Sequence, residues 1–113
     1  MRVVSLFSGA GGLDLGFTMA GHEVVWANDL YSDAVETYRA NLGNHIVCRD
    51  IATVASDEIP DCDIVIGGFP CQGFSVAGKM DPDDPRSKLV FEFQKVVKAK
   101  RPRYFVMENV AAL

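Results

Sequence analysis

The strongest constraint on how this chain folds is an alternation. Apolar runs rich in Val and Ile, at Arg2 to Phe7, Glu23 to Ala27, His45 to Cys48, Asp63 to Ile66 and Tyr104 to Met107, are separated by segments of helical period. Short apolar runs suit strands covered on both faces, and intervening helices supply the cover, so the pattern predicts strand–helix units building a parallel sheet. In the first spacer Leu13, Phe17 and Ala20 share one helical face, with Gly21 placed to stop the helix. In the second, Ser32 is placed as N-cap, Ala34, Val35, Tyr38 and Leu42 turn inward, and Gly43 terminates. A third helix over Ser87 to Lys100 sets Leu89, Phe93, Val96 and Val97 on one face and gathers Lys95, Lys98 and Lys100 toward its C-terminus, where cations suit the macrodipole. The basic run Lys98 to Arg103, interrupted by Pro102, reads as a solvated helix end.

A chain of 113 residues, 49% hydrophobic and with mean hydropathy +0.11, has room for at most one domain. Eleven Lys and Arg against fifteen Asp and Glu give a net charge of -4, the opposite of the basic footprint of a self-sufficient DNA-binding module. A nucleic-acid substrate would have to be held by something outside this chain. The apolar stretch from Val3 to Phe7 is broken by Ser5 and stops at Ser8-Gly9, and no run approaches the ~20 residues of a membrane span. A soluble chain of the cytoplasm, nucleoid-associated if prokaryotic, with no membrane partner is the expectation. Cys48, Cys62 and Cys71 form neither a disulfide framework nor the close pairs of a zinc site, which fits a reduced compartment and predicts no metal. Cys48, inside a strand, and Cys62, leading into one, read as small buried hydrophobes. His22 and His45 stand alone beside strands and carry no assigned role.

The first strand runs into Phe7-Ser8-Gly9-Ala10-Gly11-Gly12-Leu13, a glycine-rich turn opening a helix. Glycines admit a ligand to the backbone, and the free amides of a helix start favour an anionic group. The third glycine is out of register with the G-x-G-x-x-G of dinucleotide folds, so a purely structural turn is the alternative. Asp29 follows at the end of the second strand, where an acid commonly accepts hydrogen bonds from ribose hydroxyls; capping the next helix is its alternative role. Asp50 ends the third strand in Arg49-Asp50-Ile51. All three features fall at C-terminal strand ends on one edge of the sheet, where open α/β folds bind ligands.

The stretch Gly67 to Arg86 holds four glycines, three prolines and three aspartates and shows no period, as functional lids do. Within it Gly68-Phe69-Pro70-Cys71-Gln72-Gly73-Phe74-Ser75 places a cysteine just beyond a strand, in a setting that predicts an exposed, reactive thiol. The fifth strand ends in Glu108-Asn109-Val110, bringing a carboxylate to the same rim. A thiolate beside an acid is an arrangement for covalent catalysis.

These segments together resemble the C5-cytosine DNA methyltransferases. The glycine-rich turn, the Pro70-Cys71-Gln72 element and Met107-Glu108-Asn109-Val110 are similar to that family's first, fourth and sixth motifs, in order and at compatible spacing. Asn28-Asp29 and Arg49-Asp50-Ile51 match the second and third, and Arg86 falls where the family has an arginine in its mobile loop. The resemblance implies a Rossmann-like S-adenosylmethionine-dependent methyltransferase fold, with five strands in the order 3-2-1-4-5. It implies that residues 1–113 are the N-terminal part of the catalytic domain. Phe7, Gly9, Gly11 and Leu13 would line the cofactor site, Asp29 would hold the ribose, and Asp50 with Ile51 the adenine. Cys71 would attack C6 of a flipped cytosine, Glu108 would hydrogen-bond its N3 and exocyclic amine, and Pro70, Gln72, Ser75 and Arg86 would contact substrate as the loop closes.

Position 29 carries Asp where many members carry Glu, which shortens the reach to the ribose but keeps the acceptor. The chain stops at Leu113, three residues after the sixth motif, and the later motifs and the basic target recognition domain do not appear in it. The expected partners are therefore double-stranded DNA in a complete enzyme, a C-terminal half or second subunit, and a second copy bound through the exposed fifth strand. The chain alone is expected to be inactive. A cofactor-binding but inert module, and the RNA-methylating branch of the same family, stay open; an NAD-dependent oxidoreductase would leave Pro70-Cys71-Gln72 and Glu108-Asn109-Val110 without purpose.

Overall fold

The computed structural model describes residues 1–68 and 88–108. Five strands, β1 (Arg2–Leu6), β2 (Glu23–Asp29), β3 (Ile46–Cys48), β4 (Ile64–Gly68) and β5 (Tyr104–Glu108), form one sheet in the order β3-β2-β1-β4-β5 with every pairing parallel. Helices α1 (Gly12–Met19), α2 (Ser32–Asn41) and α3 (Lys88–Lys100) flank it, and short 3₁₀ turns at Ile51–Thr53 and Ser56–Glu58 lead from β3 toward β4. The expected architecture and strand order are those observed.

The sheet separates two apolar clusters. Val3, Ile64 and Ile66 turn to one face with Val24, Ala27 and Ile46, where Val35 and Tyr38 of α2 cover them. Val4, Leu6 and Val65 turn to the other, against Phe93 and Val96 of α3 and Ile51, Val54 and Ile59 of the 3₁₀ segment. Each fully buried side chain of this size contributes roughly 1.5–3 kcal/mol, so both faces hold the sheet in place. The alternation fails once, at the shift between Val3↔Val24 and Val4↔Trp26. The extra residue in β2 sets Val24 and Ala27 on one face and Val25 and Trp26 on the other, as a β-bulge requires.

Several local expectations are corrected. β1 ends at Leu6 because Phe7 adopts a left-handed φ of 53°, and β2 runs on to Asp29. Ala20 is an exposed C-cap, and the one buried residue of α1 is Asp14. Ser32 lies inside α2, whose N-cap is Tyr31. Cys48 is exposed, since β3 is an edge strand of three residues, and Cys62 is half-buried. Lys100 is drawn from solvent: its side chain is 10% exposed and reaches Asp61 at 3.8 Å. Among the described residues no helix is long and apolar enough to cross a membrane, and no group of three or more His, Cys, Asp or Glu is placed to hold a metal.

Candidate functional site

The parallel order brings the C-terminal ends of β1, β2, β3, β4 and β5 to one edge, and the polar groups found there are tied to one another by the backbone. Asn28 is buried at the end of β2; its side-chain oxygen accepts the Phe7 N–H at 3.1 Å and its carbonyl accepts the Ser8 N–H at 2.8 Å. Its amide donates to the Arg49 carbonyl at 3.0 Å, so one residue fixes the glycine-rich turn against the end of β3. Asp29, 8% exposed, accepts the Gly9 N–H at 3.2 Å on one oxygen and the Tyr31 N–H at 3.1 Å on the other. The carboxylate thus secures both the turn and the entry to α2, with lone pairs left for a ligand, since an ionised carboxylate offers about four acceptor positions.

Gly9 and Gly11 take left-handed φ values of 57° and 97°. At Gly11 a Cβ would lie 2.2 Å from Leu42 Cδ1 and 2.8 Å from the Tyr38 ring, so glycine is needed there to let the start of α1 approach α2. No side chain caps that helix start. Asp50, exposed, accepts the Ala52 N–H at 3.0 Å and holds the 3₁₀ turn that begins at Ile51. Ile51 is 3% exposed and packs into the core beneath that turn. Leu13 is half-buried at the start of α1.

Two adjoining hollows follow this edge. A cleft of about 380 Å³ is lined by Phe7, Asp29, Tyr31, Asp50 and Ile51 among others, and a smaller cavity of about 200 Å³ by Ser8, Leu13, Asp14 and Glu108. Both share Phe7 and Gly68. Glu108 pairs in register with Gly68 across β5 and β4, and a Cβ on Gly68 would stand 2.9 Å from Glu108 Oε2, so the glycine leaves room for the carboxylate over the end of β4.

The structure therefore brings Phe7, Gly9, Leu13, Asp29, Asp50, Ile51 and Glu108 to one edge, with Gly11 shaping the turn from beneath. Pro70, Cys71, Gln72, Ser75 and Arg86 lie outside the described residues. Sequence reasoning missed Asn28 as the bridge between turn and strand. It also missed Ser5, Asp14, Tyr38 and His45, which are joined by hydrogen bonds below the turn. Burial raises the Asp14 pKa above the usual carboxylate range, while the Ser5 and Tyr38 hydroxyls and the His45 charge oppose that rise. The signal for this group was an acid and a serine standing in otherwise apolar segments, LDLGF and RVVSL.

Comparison with known proteins bears on the whole chain. Residues 1–113 match the family described as C-5 cytosine-specific DNA methylase. The Type II methyltransferase M.NgoFVII of Neisseria gonorrhoeae is 50% identical over 115 residues, covering 99% of this chain and 31% of the relative. M.FnuDI of Fusobacterium nucleatum, also a Type II methyltransferase, is 44% identical and covers 100% and 33% respectively. Among solved structures, the Dnmt2 methyltransferase of S. pombe superposes with TM-score 0.77 at 31% identity, over 97% of this chain and 36% of that one. The plantazolicin methyltransferase BpumL, solved with a pentazolic desmethylPZN analog and SAH, gives TM-score 0.58 at 14% identity over 88% of this chain and 34% of its own, which shows the fold alone. The chain spans about a third of the length of the curated relatives it matches. With the family match running over its full length and the strand-end residues gathered where that fold binds ligands, the chain belongs to the C-5 cytosine-specific DNA methylase family.

Proposed function

We propose that this chain is the N-terminal, cofactor-binding part of a DNA (cytosine-5-)-methyltransferase, and that it takes S-adenosylmethionine along the strand-end edge. The observation that carries the reading is the pair of hollows joined at Phe7 and Gly68, one bordered by Asp29, Asp50 and Ile51 and the other by Glu108. Their chemistry fits the ligand's two ends. Asp29 has acceptor capacity left for ribose hydroxyls, Phe7 offers apolar surface to a base, and the smaller cavity is bordered by side-chain oxygens suited to the ammonium of the amino-acid arm. S-adenosylmethionine, when bound, supplies an electrophilic methyl group.

In this reading the Cys71 thiolate adds to C6 of a cytosine drawn out of the duplex, and the electron pair of the C5–C6 bond moves to C5. C5 would take the methyl group as the sulfonium–methyl bond breaks and its electron pair stays on sulfur as a neutral thioether; loss of the C5 proton to a base would then return an electron pair that expels Cys71 as thiolate. Glu108 hydrogen-bonds N3 and the exocyclic amine and stabilises the charge that addition drives into the ring. Pro70, Gln72, Ser75 and Arg86 contact the substrate in this reading. With a net charge of -4 the chain itself supplies little attraction for phosphate, so duplex DNA is held by the remainder of a longer protein or by a second subunit. A cytoplasmic location, nucleoid-associated if the source is prokaryotic, fits that role.

The test is a hybrid enzyme in which this chain replaces the matching third of M.NgoFVII, assayed by tritiated methyl transfer to cytosine in duplex DNA. Transfer that is lost on Cys71→Ser, with S-adenosylmethionine binding retained, supports the reading. A hybrid that folds and binds DNA yet transfers no methyl group, or one that keeps transferring after Cys71→Ser, contradicts it.

A further inference from the structure

Beneath the glycine-rich turn, five side chains make one continuous hydrogen-bonded chain, and counting its protons fixes its direction. Tyr38, fully buried on α2, donates to Asp14 Oδ2 at 2.5 Å and stands 2.8 Å from His45 Nε2. Burial and the neighbouring Asp14 push the Tyr38 pKa far above its ordinary range, so it keeps its single proton. That proton goes to Asp14, and His45 must therefore carry hydrogen on Nε2. On the other side Ser5 donates to Asp14 Oδ1 at 2.6 Å. Its proton is spent there, so the 2.8 Å contact between Ser5 Oγ and Ser8 Oγ is made by the Ser8 proton; Ser8 Oγ also stands 3.2 Å from the Ser5 carbonyl oxygen, which shares that proton. Both arms thus point their protons at one carboxylate that is 1% exposed.

The inner end of this chain, Ser5, Ser8 and Asp14, walls the cavity of about 200 Å³ that also holds Glu108. The outer end, Tyr38 and His45, borders a separate hollow of about 220 Å³. We propose that Asp14 is a positioning residue for the cofactor cavity: as a carboxylate it draws the Ser5 and Ser8 protons inward, so that Ser8 presents only lone pairs to the cavity and, with Glu108, makes a wall selective for a cationic group. Tyr38 and His45 brace Asp14 from the far side. The inference rests on reading the hollows as the S-adenosylmethionine site, where the charged amino-acid arm would meet this wall and the adenosine end would occupy the larger cleft.

The test compares S-adenosylmethionine with adenosine, which lacks the charged arm, by titration of the full 113-residue chain. In Asp14→Asn the amide must turn a donor toward either Ser5 or Tyr38 and reverse one arm. S-adenosylmethionine affinity should fall about tenfold, the scale of a lost hydrogen bond to a charged group, while adenosine affinity stays within about twofold. Ser8→Ala, at a half-buried turn position, should give a similar selective loss without disturbing the fold, and carries the test if Asp14→Asn does not fold. Tyr38→Phe, which keeps the ring and removes one arm, should fall between wild type and Asp14→Asn. Equal losses for both ligands would reduce Asp14 to a structural brace and overturn the proposal, as would unchanged affinity for S-adenosylmethionine in folded Asp14→Asn or Ser8→Ala. A wild-type chain that binds adenosine but not S-adenosylmethionine overturns it directly, whereas binding of neither removes the underlying reading of the hollows.

Discussion

Cys48 and Cys62 illustrate how one residue type takes two fates from its element. Cys48 sits on the short edge strand β3, exposed, with its thiol 3.6 Å from the Leu30 carbonyl. Cys62 precedes β4 and is half-buried; burial pushes its thiol pKa up, only partly offset by the nearby Lys100 charge. Because the thiolate is the reacting form, brief labelling with iodoacetamide at neutral pH should modify Cys48 ahead of Cys62. Mass mapping reads the order, and faster modification of Cys62 would contradict the placement. Asp14 makes a second prediction at this scale. Its folded pKa is raised above the ordinary value of 3.8, so the folded state holds that proton more tightly than the unfolded one. Its contribution to stability is therefore most favourable below 3.8 and declines as pH rises through the window between that value and the raised one. Asp14→Asn should remove this decline, so that urea midpoints of variant and wild type diverge in the variant's favour across that window. Parallel pH profiles would show that Asp14 is not perturbed.

At the scale of elements, α3 closes directly onto β4 at Gly67. A Cβ on Gly67 would lie 2.9 Å from the Phe93 ring and 3.3 Å from the Leu6 carbonyl. Gly67→Ala should destabilise by about 1–3 kcal/mol, the usual cost of overpacking, and lower the thermal midpoint; an unchanged midpoint would mean that α3 sits farther from the sheet. The five strands and three helices were legible because Val and Ile runs and helical period state their class directly. The bulge in β2 was not, because Val24 to Ala27 is apolar on both faces and offers no alternation to break. The 3₁₀ turns at Ile51–Thr53 and Ser56–Glu58 were missed since three residues carry no period. Asp29 was readable as a strand-end acid, but its double duty on the Gly9 and Tyr31 amides depends on how β2 and the turn meet. Ser5 and Asp14 lie nine residues apart and Asp14 and Tyr38 twenty-four, so the buried polar chain exists only once the helices have packed.

For the molecule as a whole, the uncovered apolar surface lies at β5. Tyr104, Phe105, Val106 and Met107 are 59%, 56%, 38% and 44% exposed, and a cleft of about 430 Å³ runs between Phe105 and Met107 on one side and Phe91 and Val97 on the other. Among the described residues β5 is an edge strand, and an apolar edge invites pairing. With the relatives about three times as long, further strands of a longer protein or a second chain are the natural cover. The isolated 113 residues should self-associate, so that light scattering shows a mass rising with concentration and Phe105→Lys suppresses the rise. A strictly monomeric wild-type species at high concentration would contradict this. The central claim, that the strand-end edge is an S-adenosylmethionine site, is tested most directly by titrating the ¹⁵N-labelled chain with S-adenosylmethionine and following backbone amides. The account predicts saturable shifts at Gly9, Gly11, Asp29 and Ile51, with the amides of Val90 and Phe105 beside the far cleft unmoved. Shifts confined to that far cleft, or none at the glycine-rich turn up to millimolar ligand, would contradict it.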